Sequence, residues 1–453
     1  MLSLILCSVA FLAGLLVSRR SLVAGIGTVL TVGYAYGIVR ANLTQPASHF
    51  IFDAAVLGLY CTQLPRSFVP GSRQLLGPLS VWVAVLIAWP VLLLAIPRQD
   101  ALVQLVGLRG NVFLVPFLLL GARLTDERAH RLALWCAVLN IVVFLVAAAE
   151  YQLGIQPFFP KNAVTAIIYA SNDATGLGYG VHRIPATFSS AHAYGGTMVA
   201  TLPLLIGAWV EGRRRGWRNP ILISAIIASI IGIFMCAARS PAIILFVMLG
   251  IVAFSLRMRL FVRFVWVVML LGVGWFVAGD VRLQRFATLG DVGAVEERVV
   301  GSVNTSFFDL MGMYPLGNGL GGGGTSIPYF LQSRIDNQVL MESEYARILL
   351  EQGVPGLMLW AAFIVWTLSR AIVDLRRGTL GRRLFLCFSA LSFVTGFIGV
   401  GLLTSIPQTS LLLLGTGWLV TRPQREWQEH AAPDRIRAGA RDAPSDEPTV
   451  GLA

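Results

Sequence analysis

The 453-residue chain is 56% hydrophobic and only 13% charged, with a mean hydropathy of +0.73. Soluble domains carry about a quarter charged residues, so a soluble globular class is excluded and a polytopic α-helical membrane protein is indicated. The formal charge of +12 does not point to nucleic acid, because the arginines fall in short clusters between apolar runs and not on one aromatic-studded face.

Apolar runs of about 20 residues recur from end to end, each enough to cross a ~30 Å hydrocarbon layer as a helix. Thirteen spans are expected, near 1–17, 21–39, 50–64, 75–96, 101–121, 132–153, 191–210, 220–237, 241–256, 264–279, 354–373, 384–402 and 408–421. The first run, MLSLILCSVAFLAGLLVSRR, carries its basic pair Arg19–Arg20 after the apolar stretch, the reverse of a signal peptide. A retained helix with its N-terminus outside follows from that arrangement. Further basic clusters at Arg66 and Arg73, Arg123 to Arg131, Arg213 to Arg218, Arg257 to Arg263 and Arg376 to Arg383 fall in every second loop, which sets the C-terminus in the cytoplasm.

The run near 50–64 is short and holds Asp53, and the run near 101–121 holds Arg109, a group that is costly at mid-membrane unless partnered. An Asp53–Arg109 structural pair and a functional role are equally consistent with this placement, and Glu150 raises the same question. The five cysteines all sit inside apolar runs, with no C-x-x-C; neither a metal site nor a disulfide framework is indicated.

Two outer-face loops stand out, at about 154–190 and 280–350. Loops of this length are commonly functional, and short helices lying over the outer surface are expected in the second. A transmembrane domain over 1–421 is followed by a polar, proline-bearing tail, 422–453, expected to be disordered.

The second loop contains PLGNGLGGGGTS, residues 315 to 326. A nucleotide-binding loop of the G-x-x-x-x-G-K-[ST] type needs a lysine after its last glycine, and the chain's one lysine is Lys161. ATP is therefore excluded. Tight backbone turns, close approach to a ligand and an anion-binding nest remain open. The next segment, MESEYARILLEQGVPGLMLW, has helical apolar spacing at Tyr345, Ile348 and Leu349. Glu342 and Glu344 would lie about 200° apart on a helix and cannot form a paired-carboxylate site by themselves. Arg347, three after Glu344 and four before Glu351, has the spacing of ordinary surface ion pairs.

PLGNGLG followed by ESEYARILLEQGVPGL resembles the outer loop and next helix of the O-antigen ligase and polymerase family, with Pro315, Gly317, Gly319, Tyr345, Glu351, Gly353 and Gly356 matching. Two upstream stretches agree. HRIPATFSSAHAYGG resembles the family's Arg-x-x-x-Thr-Phe stretch through Arg183, Thr187 and Phe188, and CAARSPAIILF resembles its Ser-Arg-Gly turn through Arg239. The resemblance spans about 100 to 421. It departs at the loop histidine of the ligases, whose place is held by Glu342, with Ser343 in place of the neighbouring asparagine; this favours a polymerase.

The resemblance implies glycosyl transfer from an undecaprenyl-pyrophosphate-linked saccharide at the outer face of a bacterial inner membrane, without cofactor or metal. Arg183 and Arg239 would hold the pyrophosphate through their guanidinium forks. Glu342 or Glu344 would engage the acceptor hydroxyl as base or orienting acceptor, and Tyr345 would pack or hydrogen-bond at the site. His192 and Arg285 are further substrate-binding candidates, as are Arg282, Arg298 and Arg334 among the loop cations. His192 also fits a plain helix-end hydrogen bond, and Arg239 an interfacial arginine snorkelling to head groups. The bilayer and other polysaccharide assembly proteins, a flippase or a chain-length regulator, are the expected partners. The rival classes are a transporter or flippase of lipid-linked sugars, which would concentrate ionisable residues at mid-membrane, and a non-catalytic assembly subunit.

Overall fold

The computed structural model describes residues 1–67, 73–166, 168–169, 182–212, 218–255, 293, 307–339, 341, 343–373, 378–399 and 401–421. Among the described residues the regular structure is helical, with no strand. The helices are α1 (Leu2–Arg20), α2 (Leu22–Asn42), α3 (Ile51–Gln63), α4 (Arg73–Leu93), α5 (Ala101–Val112), α6 (Phe117–Ala122) and α7 (Asp126–Leu153). They continue as α8 (Ala191–Glu211), α9 (Arg218–Met235), α10 (Arg239–Ser255), α11 (Phe307–Met313), α12 (Glu344–Val373), α13 (Leu380–Thr395) and α14 (Gln408–Val420). Short 3-10 turns occupy Pro46–Phe50 and Tyr329–Arg334.

A helix stands at each expected span except that near 264–279, which lies outside the described residues, as do Glu342, Arg282, Arg285, Arg298 and the tail 422–453. Among the described residues six stretches are long and apolar enough to cross a bilayer: α1, α2, Ala101–Ala122, α7, α8 and α12. Shorter apolar helices include α10 and α14. The span Ala101–Ala122 is broken between α5 and α6, and Tyr60 Oη donates to the freed Phe113 carbonyl at 2.8 Å. A crossing helix tolerates such a break where a neighbour satisfies the released backbone group.

The ends of the helices sort onto two faces. Ser3 donates to Gln45 at 2.5 Å, Asn42 to the Phe158 carbonyl and Asn162 to the Ala41 carbonyl at 2.9 Å each, and Tyr329 to the Thr44 carbonyl at 3.1 Å. The start of α1, the segment after α7 and the segment after the glycines thus gather at the end of α2; we call this the loop face. On the opposite face Arg123 donates to the Gln63 carbonyl at 2.7 Å. There Arg382 also binds Asp126 at 2.9 Å and caps the end of α14 through the Thr421 carbonyl at 2.6 Å. The basic clusters at Arg123 and Arg382 therefore share one face, as their alternation in the sequence requires.

Small residues let the helices approach. A Cβ added at Gly14 of α1 would lie 2.3 Å from the Ala55 carbonyl oxygen of α3, and one at Gly58 of α3 would lie 2.2 Å from the Phe11 carbonyl oxygen; such close crossings favour van der Waals packing between spans. In the interior Tyr34 donates to Asn140 Oδ1 at 2.7 Å, while the Asn140 amide donates to Thr201 and Ser229 at 2.8 Å each. One side chain of α7 thereby joins α2, α8 and α9.

The expected span 354–373 belongs to a longer element. α12 begins ten residues earlier, at Glu344, and runs through a kink at Gly353, whose φ is 71°. Pro355, two residues on, cannot donate to the helical ladder.

Candidate functional site on the loop face

The glycine stretch is packed against helices, with residues 317–324 all buried. A Cβ on Gly107 of α5 would lie 2.2 Å from the Gly321 nitrogen, and Gly321 itself has φ +81° beside the Val103 carbonyl. Both features call for glycine at this contact: one for approach, the other for a left-handed backbone. The loop is further clasped by the turn before α5. Arg98 donates to the Gly317 carbonyl at 2.5 Å, and Gln99 donates to the Asn318 and Asp336 carbonyls at 2.9 Å each. Tight turns, one of the readings left open by the sequence, are found: Gly317, Gly319, Gly321 and Gly324 all have positive φ, and the Gly322 and Gly324 amides donate to the carbonyls three residues back at 3.1 and 3.0 Å. Arg334, at the end of the following 3-10 turn, lies 3.8 Å from Asp100.

Beneath this loop lies a knot of buried charge. Arg347 is fully buried and its guanidinium meets Glu344 at 2.7 Å, Glu351 at 2.8 Å and Asn111 Oδ1 of α5 at 3.0 Å. Asn111 donates in turn to Glu351 Oε2 at 2.6 Å, and Gln352 donates to Asn111 Oδ1 at 2.8 Å. The pairing has the expected i, i+3 and i, i+4 spacing, but it is not the surface arrangement that spacing suggests. The glycine loop and α5 cover it, and in that low-dielectric setting each carboxylate oxygen needs a donor. Glu344 finds both: Arg347 on one oxygen and the Gly401 amide, 2.7 Å away, on the other.

Glu344 is therefore a strut, with no oxygen open to solvent. Its backbone amide also donates to the Gly396 carbonyl at 2.9 Å, which ties the segment just after Glu342 to the end of α13. Tyr345 is buried as well. Its hydroxyl donates to the Phe393 carbonyl at 2.7 Å and its ring lies 4.3 Å from that of Phe397.

The upstream candidates meet elsewhere on the protein. Arg183 Nη1 lies 3.1 Å from His192 Nε2; Arg183 is 4% exposed while His192 is exposed at the first turn of α8. Ser190 caps that helix by accepting from the Ala193 amide at 3.2 Å, the standard service of a serine at this position. One turn on, a Cβ at Gly195 would sit 2.4 Å from Cys236 Sγ, so α8 presses directly on the turn between α9 and α10. Arg183 is within electrostatic reach of Cys236, and Arg239 opens α10 three residues further along. The two arginines thus belong to one corner of the molecule. Glu150, at the end of α7, braces this corner by accepting from the Ala186 amide at 2.9 Å.

Asp53 and Arg109 form the structural pair allowed by the sequence, a two-pronged bridge of 2.5 and 2.8 Å. The role of Asn111 was invisible in the sequence, which offers no signal for an asparagine that joins elements so far apart. Among the described residues, no group of three or more His, Cys, Asp or Glu gathers in a metal-holding arrangement. No family model, curated protein or solved structure matches the chain. Among the described residues the fold is that of an all-helical, multi-pass membrane protein.

Proposed function

We propose that the protein is a bacterial inner-membrane glycosyl transferase that uses undecaprenyl-pyrophosphate-linked saccharide units, a polysaccharide polymerase before a ligase, with twelve to thirteen crossings and the loop face outside. The observation that carries this reading is the corner where Arg183, paired with His192, adjoins the turn bearing Arg239. Two guanidiniums at a helix-lined corner suit a lipid diphosphate, which arginine binds through paired hydrogen bonds without losing its own proton.

In the reaction an acceptor sugar hydroxyl attacks the anomeric carbon of the lipid-linked sugar. The bond from that carbon to the pyrophosphate oxygen breaks, and undecaprenyl pyrophosphate leaves with the electron pair. Arg183 and Arg239 stabilise the charge that develops on the leaving group. Glu342 takes the hydroxyl proton, a role that rests on the family resemblance, while Glu344 holds the adjoining segment and Tyr345 anchors it to α13. His192 orients Arg183, and Arg285 is a further loop cation for the saccharide. Other assembly proteins would supply the flipped donor and set chain length.

The test is Arg183→Ala and Arg239→Ala in cells that make the polysaccharide. Both should abolish long chains at unchanged protein abundance, and Arg→Lys should also impair them if fork geometry matters. Unchanged chain-length ladders would remove both residues from the site. Reconstitution into liposomes separates the rival transporter: transfer releases undecaprenyl pyrophosphate, whereas transport moves lipid-linked sugar without releasing it.

A further inference from the structure

Where α2 ends on the loop face, a second cluster of cations and rings lies apart from the Arg183 corner. Arg40 is centred 5.4 Å over the Tyr36 ring, and Arg109 lies 5.8 Å over Phe50. His49, in the 3-10 turn Pro46–Phe50, is flanked by Tyr329 at 5.9 Å and Phe330 at 5.6 Å between ring centres. These two rings come from the 3-10 turn after the glycine loop, which Tyr329 ties down through Thr44. Three polar atoms in this region are buried without a hydrogen-bond partner: Arg40 Nε, His49 Nε2 and Ser326 Oγ. Ser326 packs on Gly110, the neighbour of Arg109, and both Arg40 and Arg109 are within electrostatic reach of His49.

Buried polar groups are nearly always paired, and each orphan costs about 1–3 kcal/mol. Tyr36, over which Arg40 lies, donates to the His49 carbonyl at 3.1 Å, and Ser326 stands three residues before Tyr329; orphaned polar groups among aromatic rings are the composition of a ligand site, an apolar wall with a few polar groups. The charge count narrows the ligand. Asp53 is taken up by Arg109 through both oxygens, which leaves Arg40 as the cation to be matched. One monovalent anion matches one guanidinium, and a carboxylate fits its fork. The rings suit the apolar face of a pyranose.

We propose that Arg40, His49 and Ser326, walled by Tyr36, Tyr329 and Phe330, bind a uronic acid unit of a saccharide chain. The presence of such a chain rests on the glycosyl-transfer reading, but the binding chemistry does not. The Arg183 segment is tied to the helix that bears Arg40: the Ile38 amide donates to the Thr187 carbonyl at 2.9 Å, within one turn of Arg40.

The test is binding to the full-length protein in detergent, followed by calorimetry. The probes are tetragalacturonate and a hyaluronan tetrasaccharide, which differ in the uronic acid they carry, with neutral maltotetraose as comparison. At least one acidic probe should bind saturably and maltotetraose at least tenfold more weakly. Arg40→Ala and Tyr329→Ala should each weaken that binding tenfold or more at an unchanged melting temperature. Arg40→Gln serves as the milder variant should Arg40→Ala fold poorly. Failure of both acidic probes, equal affinity for maltotetraose, or indifference to Arg40 replacement would overturn the site. So would equal competition by inorganic phosphate or by phosphatidylglycerol vesicles, which would assign it to a general anion or a lipid head group. Arg183→Ala should leave the binding intact. If that variant also leaves polysaccharide ladders unchanged, the transferase reading falls while this site stands.

Discussion

Arg347 and Glu344 sit one helical turn apart and meet at 2.7 Å in the interior, where their side chains are 1% and 0% exposed. Glu351 approaches the same guanidinium from the next turn at 2.8 Å. Asn111 and the Gly401 amide supply further donors to the two carboxylates, while Glu351 Oε1 stays buried without a partner.

Arg347→Met should be severely destabilising, by about 3–5 kcal/mol, the usual cost of breaking a buried ion pair from one side. Adding Glu344→Gln and Glu351→Gln should recover most of the loss, since neutral amides remove the stranded charge. Thermal melting in detergent reads both results; a single variant that melts like the parent contradicts the buried knot.

Gly107→Ala should dislodge the glycine loop from α5, because the new Cβ would fall 2.2 Å from backbone at Gly321. Limited proteolysis within residues 315–326 should rise sharply. Gly250→Ala, where a Cβ meets nothing within 4 Å, should leave cleavage and melting as they are or raise the melting temperature slightly.

Asn140→Leu should loosen the contact of α7 with α2, α8 and α9 by stranding Tyr34, Thr201 and Ser229. Interhelical hydrogen bonds in membranes contribute about 0.6–2 kcal/mol each. The expected result is a lower melting temperature without loss of helix content by circular dichroism.

His49 gives the protein a pH dependence. Burial, reinforced by the nearby positive charge of Arg40 and Arg109, lowers its imidazole from the usual 6.5 to about 3. Below pH about 6.5 the unfolded chain takes up a proton that the folded one refuses, so stability falls as pH falls and continues to do so toward about 3. For one group the slope approaches 1.4 kcal/mol per pH unit. His49→Phe should flatten the melting curve between pH 6.5 and 5; an equal slope in both proteins would contradict this.

Hydropathy alone placed a helix at each expected span within the described residues, because a bilayer allows few other ways to satisfy a backbone. The Asp53–Arg109 pair was half legible for the same reason: an arginine in an apolar run demands a partner, and Asp53, two runs earlier, was a candidate alongside a functional role. The Arg347 knot was only half legible. Its i, i+3 and i, i+4 spacing is identical for an exposed pair, and what buries it is α5 together with the glycine loop, both remote in sequence. The glycines were ambiguous on similar grounds, since a nest and a packing surface require the same backbone freedom, and Gly107 decides between them from two hundred residues away. Arg183 and His192 were each noticed without their 3.1 Å contact being foreseen, because it depends on how the chain turns into α8.

The kink at Gly353 has a consequence for how the chain is made. Beyond it, Pro355 to Val373 is long enough to be threaded into lipid as an ordinary stop-transfer segment. The half before it bears two carboxylates and a guanidinium, which hydrocarbon would reject. Its neutral partner Asn111 lies 236 positions nearer the N-terminus and has already left the ribosome. The charged half is therefore completed only after the chain has passed it, when the Gly396 carbonyl and the Gly401 amide, both made later, close on Glu344.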